Sequence, residues 1–409
     1  MFMQSELKYV DGGVTAAPGF LAAGVHCGIR KNSQKRDLAL IVADRDCAAT
    51  AVYTTNKVKA APIWLTMRHL VNGRARAILA NSGNANACAP GGAIAAETTV
   101  TAAAAACGLR TEDFIVNSTG VIGQPLPMEK MINAMPALAQ SLSRDCLPAA
   151  EAIMTTDTFP KMAAVQFTLG GKTVTLGGMA KGSGMIHPNM ATMLAFLTTD
   201  CAITPALLQE ALRASANRTY NRVSVDGDTS TNDMTAILAS GAADNPIITE
   251  KSADYEIFLG ALNAVNLKLA KDIAKDGEGA TKLLICRVSG AGCETDAVLL
   301  AKAVISSSLT KAALFGADAN WGRVLCALGY SGADFDPAQT DIAFSSAVGR
   351  IRVCANGAGL AFDEAIAKQV LAEKEVTIAV TQHEGDATAE AYGCDLTYDY
   401  VKINGDYRT

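Results

Sequence analysis

Lys181–Phe196, KGSGMIHPNMATMLAF, is the stretch on which both the fold and the chemistry of this chain turn. It holds a threonine, Thr192, directly behind Ala191, with glycines at 182 and 184 on the approach. A threonine hydroxyl inside a chain is a weak nucleophile. If the bond between residues 191 and 192 were broken, the freed α-amino group, with a reference pKa of roughly 7.7–8.0, would lie beside the hydroxyl as its general base. One cleavage would then supply nucleophile and base together. Ala191 leaves its carbonyl carbon unshielded, and the glycines permit backbone conformations closed to other residues. Attack by the Thr192 oxygen would pass through a five-membered ring to an ester, which water opens more readily than an amide. The products would be chains 1–191 and 192–409. The same letters have a plainer account, in which Gly182–Gly184 is a loop and Ala191–Phe196 makes the first turns of a buried helix. Local chemistry alone favours that plainer account.

At 409 residues the chain is long enough for two domains or one large one and buries most of its surface without external staples. Half of its residues are hydrophobic but only 5% are aromatic, so the core must be packed from Ala, Val, Leu and Ile. The net charge of −5, with no run of like charges and no aromatics interleaved with Lys or Arg, argues against a nucleic-acid partner. The opening MFMQSELKYVDGG lacks the apolar core of a signal peptide. No apolar stretch reaches the ~20 residues that span a bilayer, so no membrane partner is expected. A soluble, cytoplasmic protein is expected. The 11 cysteines, scattered from Cys27 to Cys394 without a CxxC pair, fit reduced core residues and not a disulfide framework or zinc site. His26, His69, His187 and His383 are too dispersed for a metal centre. His187, five residues before Thr192, reads most simply as a loop residue held before Pro188.

Strand-like runs occur at Leu38–Val42, Ala77–Ala80 and Phe114–Val116, and the Ala-rich Ala93–Cys107 has helical propensity. Ala164–Leu176 alternates around Gly170-Gly171, a pair suited to the positive φ angles of a tight hairpin turn. Farther on, Pro205–Ser215 and Tyr255–Lys275 have helical spacing, Met234–Leu238 and Leu283–Val288 read as strands, and Val376–Thr381 with Ala387–Tyr400 as a final hairpin. Both halves mix α and β elements. Short hairpins imply an α/β fold of mixed or antiparallel sheets covered by helices, and not a parallel doubly wound sheet. No Pro/Ser-rich linker separates the halves, so cleavage would fall within a folded unit whose products stay associated.

Several ordered motifs resemble those of the ornithine acetyltransferases, also called glutamate N-acetyltransferases, of arginine biosynthesis. Besides KGSGMIHPNMATMLAF they are GVTAAPGFLAAGVHCGI (Gly13–Ile29), NSGNANA (Asn81–Ala87), NSTGVIG (Asn117–Gly123), MTTDTFPK (Met154–Lys161), SVDGDTSTND (Ser224–Asp233), GEGAT (Gly277–Thr281) and GADANWGR (Gly316–Arg323). The resemblance spans nearly the whole chain. It implies layered α/β sheets shared between two chains produced by self-cleavage at Ala191-Thr192, with Thr192 as the nucleophile.

An acyl transferase also needs oxyanion donors and groups that orient substrate. Thr119-Gly120 offers a hydroxyl and a backbone N–H; the resemblance makes this pair the oxyanion hole, although by itself it reads as a turn. Lys181 is suited to a substrate carboxylate or to developing negative charge, and the resemblance makes it a substrate ligand; its plain alternative is a solvated hairpin end. Glu278, between two glycines, could pair with an ammonium but otherwise reads as a loop surface residue; only the resemblance makes it a substrate contact, for the ammonium ending the ornithine side chain. Thr155, Asn404 and the terminal Thr409 match further substrate positions only by resemblance; otherwise VKINGDYRT is a frayed tail. SVDGDTSTND has spaced acids like a calcium loop, but position twelve from Asp226 is Ile237, not Glu, so no metal is implied. GADANWGR contains neither GxxxxGK nor GxGxxG and reads as scaffold.

The implied reaction is a double displacement. Thr192 takes acetyl from N-acetyl-L-ornithine, releases ornithine, and passes the group to the α-amine of L-glutamate through an acetyl-threonine ester. No cofactor is required. Some members of the family accept acetyl-coenzyme A as a second donor, which would add amino-acid N-acetyltransferase activity. The family also implies a heterotetramer of two α and two β chains. Two other classes use similar parts: an N-terminal-nucleophile amidohydrolase or aminopeptidase, with water as acceptor, and a non-catalytic amino-acid-binding protein, which would remain one uncut chain of 42.4 kDa.

Overall fold

The computed structural model describes residues 7–187 and 193–406, so Ala191, Thr192 and Thr409 lie outside the described residues. The chain divides into two compact units. One comprises Met1–Gly182, Pro188–Asn221 and Thr229–Leu269; the other Ser183–His187, Arg222–Asp228 and Ala270–Thr409. Neither unit is a continuous piece of sequence.

The first unit is built on a nine-stranded mixed sheet. In spatial order its strands are Lys8–Tyr9, Lys161–Leu169, Lys172–Lys181, Leu194–Thr199, Met234–Ala239, Leu38–Tyr53, Arg74–Asn81 and Phe114–Ser118, with Phe20–Val25 paired to Leu38–Tyr53 off this path. The Gly170-Gly171 hairpin is present: Leu169 faces Lys172, and both glycines have the positive φ, 52° and 77°, that a two-residue turn of this hand requires. The helix Gly92–Cys107 also forms where expected, and its buried Ala95, Ala96, Ala103 and Ala104 pack with Leu40, Leu79 and Phe114 of the sheet.

Leu194–Thr199, with the sequence LAFLTT, is buried at all six positions and pairs antiparallel to Lys172–Lys181 on one edge and parallel to Met234–Ala239 on the other. The helical alternative therefore fails for Leu194–Phe196. Two ladders claim the strand's amides, and a short apolar run buried on both faces is the pattern of an interior strand.

The second unit carries a seven-stranded mixed sheet in the order Ala358–Gly359, Gly349–Ala355, Thr340–Ser346, Glu375–Gln382, Leu283–Ala291, Ala387–Cys394 and Val223–Ser224. Helices including Glu294–Ser306, Trp321–Gly329 and Glu364–Ala372 bury Leu300, Val324 and Val370 in its core. The expected final hairpin is absent, because Leu283–Ala291 lies between its two arms. That strand runs parallel to Glu375–Gln382 and antiparallel to Ala387–Cys394, using the hydrogen-bonding edges that a hairpin would have joined. The last arm also ends early, at Cys394, and Tyr398–Asp406 is a helix, not a frayed tail. All eleven cysteines are free thiols; six are buried, but Cys88, Cys293 and Cys326 are exposed, so the expectation of core cysteines holds only in part. No single helix among the described residues is long and apolar enough to cross a membrane.

A buried charge pair fixes the end of the strand that leads toward Thr192. The Asp157 carboxylate, fully buried, accepts from Lys161 Nζ at 2.7 Å, from the Gly182 N–H at 2.7 Å and from the Thr155 N–H at 2.9 Å. Burial opposes its ionisation, but the Lys161 and Lys181 ammonium groups and these hydrogen bonds overcome it and bring the pKa down to about 2. The folded value lies below the ordinary 3.8, so the stabilisation is complete above that pH and is lost as pH falls toward 2. Asp157→Asn would leave the buried Lys161 ammonium facing a neutral amide, a change that costs about 3–5 kcal/mol in comparable sites. Its denaturant midpoint is expected to fall accordingly at neutral pH; an unchanged midpoint would show that the pair does not hold this strand end.

Candidate active site

Three separate motifs interlock in the first unit through buried amides. Asn232 Nδ2 donates to Ser118 O at 2.8 Å and to Ala85 O at 2.6 Å, and Asn117 Nδ2 returns a bond to Asn232 O at 2.9 Å. Ser118 Oγ donates to Asn81 Oδ1 at 2.6 Å, and the Thr119 N–H to Asn81 O at 2.9 Å. NSGNANA, NSTGVIG and the STND end of SVDGDTSTND thus form one polar knot, in which each amide satisfies backbone groups that loops leave unpaired.

This knot sets the position of Thr119-Gly120. Gly120 has φ of 132°, and a Cβ there would lie 2.4 Å from the Gly83 carbonyl carbon, so only glycine fits. Lys181, buried at the end of its strand, directs Nζ to Thr119 Oγ1 at 3.4 Å, long for a hydrogen bond. With the ammonium on the oxygen's lone-pair side, the Thr119 proton is left to donate, which is what an oxyanion donor must do. Thr155, half-buried, donates its N–H to Asp157, and its carbonyl accepts from Arg30 Nη2 at 2.8 Å. Thr119, Gly120, Thr155 and Lys181 therefore belong to one packed region, and Lys181 is no solvated hairpin end. The sequence reading overlooked Asp157 and Asp233. Asp157 stands four residues before Lys161 in MTTDTFPK, and Asp233 is an acid set immediately before an apolar strand; both patterns were visible.

Asp233 is 3% exposed, and burial raises its pKa well above 3.8 against the pull of a Ser230 hydrogen bond and the Lys181 charge. Two carboxyls face Lys181 with opposite tendencies, Asp157 ionised and Asp233 favouring its neutral form. Among the described residues no group of three or more His, Cys, Asp and Glu is arranged to hold a metal ion.

The second unit brings together Glu278 and Asn404. Glu278 is buried, not a loop surface residue; its N–H donates to Ser183 O at 3.0 Å, and its Oε2 accepts from Asn404 Nδ2 at 2.7 Å. The C-terminal helix thus returns to Glu278. Asp226 accepts from the N–H groups of Met185 at 2.5 Å and Ile186 at 2.9 Å, so the acid that resembled a calcium ligand holds backbone instead. His187 contacts Ser224 Oγ at 3.0 Å, and burial, with the Lys302 charge, lowers its pKa to about 4, so it is neutral at physiological pH. Burial, with the charges of Asp226, Glu278 and Asp228, raises the Tyr400 phenol to about 12.

Gly184 is required by approach and not by φ: a Cβ there would meet the Glu278 carboxylate at 2.4 Å. A carboxylate on a flexible side chain yields before backbone does. Gly184→Ala is therefore expected to fold, with Glu278 displaced from Asn404; a crystal structure of the variant that retains the 2.7 Å bond would refute this.

The sequence profile described as the ArgJ family matches residues 21–409. The arginine biosynthesis bifunctional protein ArgJ of Symbiobacterium thermophilum is 55% identical over 407 residues, covering 98% of this chain and 100% of its own. Its namesake from Caldanaerobacter subterraneus subsp. tengcongensis is 51% identical over 405 residues, with 98% and 100% covered. Among solved structures, the arginine biosynthesis bifunctional protein argJ from Bacillus halodurans is 47% identical with a TM-score of 0.50, covering 53% of this chain and 100% of that one. A profile match over nearly every residue, with relatives above 50% identity along their full length, means that this chain belongs to the ArgJ family.

Proposed function

We propose that the chain cleaves itself between Ala191 and Thr192 and that Thr192 then carries acetyl from N-acetyl-L-ornithine to L-glutamate through an acetyl-threonine ester. The observation that carries this reading is the Lys181–Thr119 contact beside Gly120, an oxyanion site at the end of the strand leading to residue 192. Family membership supports it, since the curated relatives are arginine biosynthesis bifunctional proteins. So does a length. The solved B. halodurans chain is matched in full by 53% of this chain, the share that residues 192–409, 218 of 409, would occupy.

In this reading Thr119 and the Gly120 N–H stabilise the tetrahedral oxyanion, while Lys181 and Thr155 hold the α-carboxylate and acetamido group common to both substrates. Glu278, with Asn404 and Thr409, receives the side-chain ammonium of ornithine. Those contacts favour ornithine over glutamate as leaving group, because a buried carboxylate without its ammonium partner is costly. No metal or nucleotide takes part. The products stay associated, because Leu194–Thr199 and Met234–Ala239 from one lie between Lys172–Lys181 and Leu38–Tyr53 from the other. By family resemblance the working form is a pair of cleaved heterodimers in the cytoplasm.

Denaturing mass spectrometry with and without acetylornithine tests cleavage and intermediate together. Two fragments beginning at Met1 and Thr192 are expected, with one acetyl group added to the second when donor is present. Thr192→Ala is expected to be uncut and inactive, and Thr192→Ser to retain part of both functions. Normal turnover by Thr192→Ala, or hydrolysis that ignores glutamate, would overturn the reading.

Acetyl-coenzyme A is proposed as a second donor, in line with the bifunctional description of the relatives. Purified protein given acetyl-coenzyme A and glutamate should form acetylglutamate. Its absence would restrict the enzyme to exchange between amino acids.

A further inference from the structure

We infer that Asp157 is the positioning residue for the substrate α-carboxylate: by holding the Thr155 and Gly182 N–H groups on the two oxygens of one carboxylate, it fixes Thr155 against Lys181 and so sets the preference for ligands that carry an α-carboxylate. This rests on the substrate roles given to Lys181 and Thr155 above and deepens them.

The two ligands come from segments that the sheet alone does not tie together. Thr155 lies in the loop before Lys161–Leu169, and Lys181 closes Lys172–Lys181. The ladder between these strands ends with Lys161 opposite Ala180, so it brings the loop to Lys181 without fixing it there.

Asp157 closes that gap. Its Oδ1 accepts from the Gly182 N–H at 2.7 Å and from Lys161 Nζ at 2.7 Å, and its Oδ2 accepts from the Thr155 N–H at 2.9 Å. The backbone of Thr155 and that of the residue after Lys181 are thus held a carboxyl's width apart. Thr155 is held on its other side as well. Its carbonyl accepts from Arg30 Nη2 at 2.8 Å, and the Arg30 N–H donates to Asp37 Oδ2 at 2.9 Å, while the buried Asp37 also takes the Cys27 N–H at 2.6 Å. Both backbone groups of Thr155 are therefore engaged, whereas its hydroxyl makes no hydrogen bond to another described residue and is left for a ligand.

The three partners of Asp157 are all donors, and this decides which side chain can serve. An ionised carboxylate only accepts, and with a pKa of about 2 this one stays ionised at neutral pH. A side-chain amide accepts on one end and donates on the other. After Asp157→Asn, one orientation sets the NH2 group against the Gly182 N–H and Lys161, and the other sets it against the Thr155 N–H. The amide keeps one of the two segments in place but not both.

The test is the preference for ornithine over putrescine, the same chain without its carboxylate, measured as calorimetric dissociation constants, which need no turnover. Wild-type protein is expected to favour ornithine by about a hundredfold, as suits hydrogen bonds to a charged group. Asp157→Asn is expected to cut that preference about tenfold, weakening ornithine and leaving putrescine nearly unchanged. A general loss of structure would weaken both alike. Because Asp157→Asn strands the Lys161 ammonium, Asp157→Asn/Lys161→Met is measured beside it; the double variant has no buried charge to strand, still cannot hold both segments, and decides alone if the single variant does not fold. A variant that stays uncut is compared with uncut Thr192→Ala. In cut enzyme the KM for glutamate, which bears the same carboxylate, is expected to rise about tenfold with kcat nearly constant. An unchanged preference in a folded variant, equal weakening of both ligands, or a fall in kcat with KM unchanged overturns the assignment. Wild-type protein that transfers no acetyl group, or that does not distinguish ornithine from putrescine, would instead remove the substrate roles beneath it, so the two failures are distinguishable.

Discussion

The burial of Leu194–Thr199 between two ladders is the constraint on which the remainder depends. A strand with hydrogen bonds on both edges and apolar contacts on both faces has no freedom to slide, because a shift of one residue would turn every side chain to the opposite face. Met193 is fixed with it. A residue at the entry to such a strand, as Met193 is, inherits the rigidity of the sheet, which loops do not supply. The same register brings Lys181 alongside Leu194 and Asp233 level with Met193, so charge, strand and chain direction are set by one pairing.

Electrostatics follow from that placement. Lys161, Lys181, Asp157 and Asp233 are all nearly or fully buried, where an isolated charge would be prohibitively costly. Asp157 meets two ammonium groups and three donors and stays ionised. At Asp233 the Lys181 charge and the Ser230 hydrogen bond do not offset burial, which prevails. Two chemically identical side chains, both facing Lys181, are thereby separated in proton affinity. That separation divides the labour: one anchors the strand end, and the other remains responsive.

Much of this was legible in the letters. Gly170-Gly171 gives a turn because two consecutive positive φ angles leave few other residues acceptable. Gly92–Cys107 gives a helix because alanines neither crowd a preceding turn nor resist close packing on a sheet. The final hairpin misled for a physical reason: adjacency along the chain favours pairing, but Leu283–Ala291, a hundred residues earlier, competes for both arms and is buried enough to prevail. Short-range patterns cannot report such competition. Thr119, Lys181 and Glu278 were singled out by motif, whereas Asp157 and Asp233 were not: the i, i+4 spacing of Asp157 and Lys161 was there to read, but the backbone N–H groups that Asp157 accepts from are set by the fold and not by spacing. The helical alternative at residues 194–196 failed in the same way. Four apolar letters followed by two threonines carry no period of their own, and only the neighbouring strands decide between coil-up and extension.

The interleaving of the first unit has a further bearing on how the molecule is made. Its sheet places Met234–Ala239 and Leu194–Thr199 between strands drawn from the first 181 residues. A nascent chain leaving the ribosome therefore exposes two incomplete sheet fragments with open edges until residue 239 has emerged, and such edges invite pairing with other chains. Biogenesis of this protein has its most vulnerable interval in mid-translation, when nearly three-fifths of the polypeptide exists and its central seam is still missing.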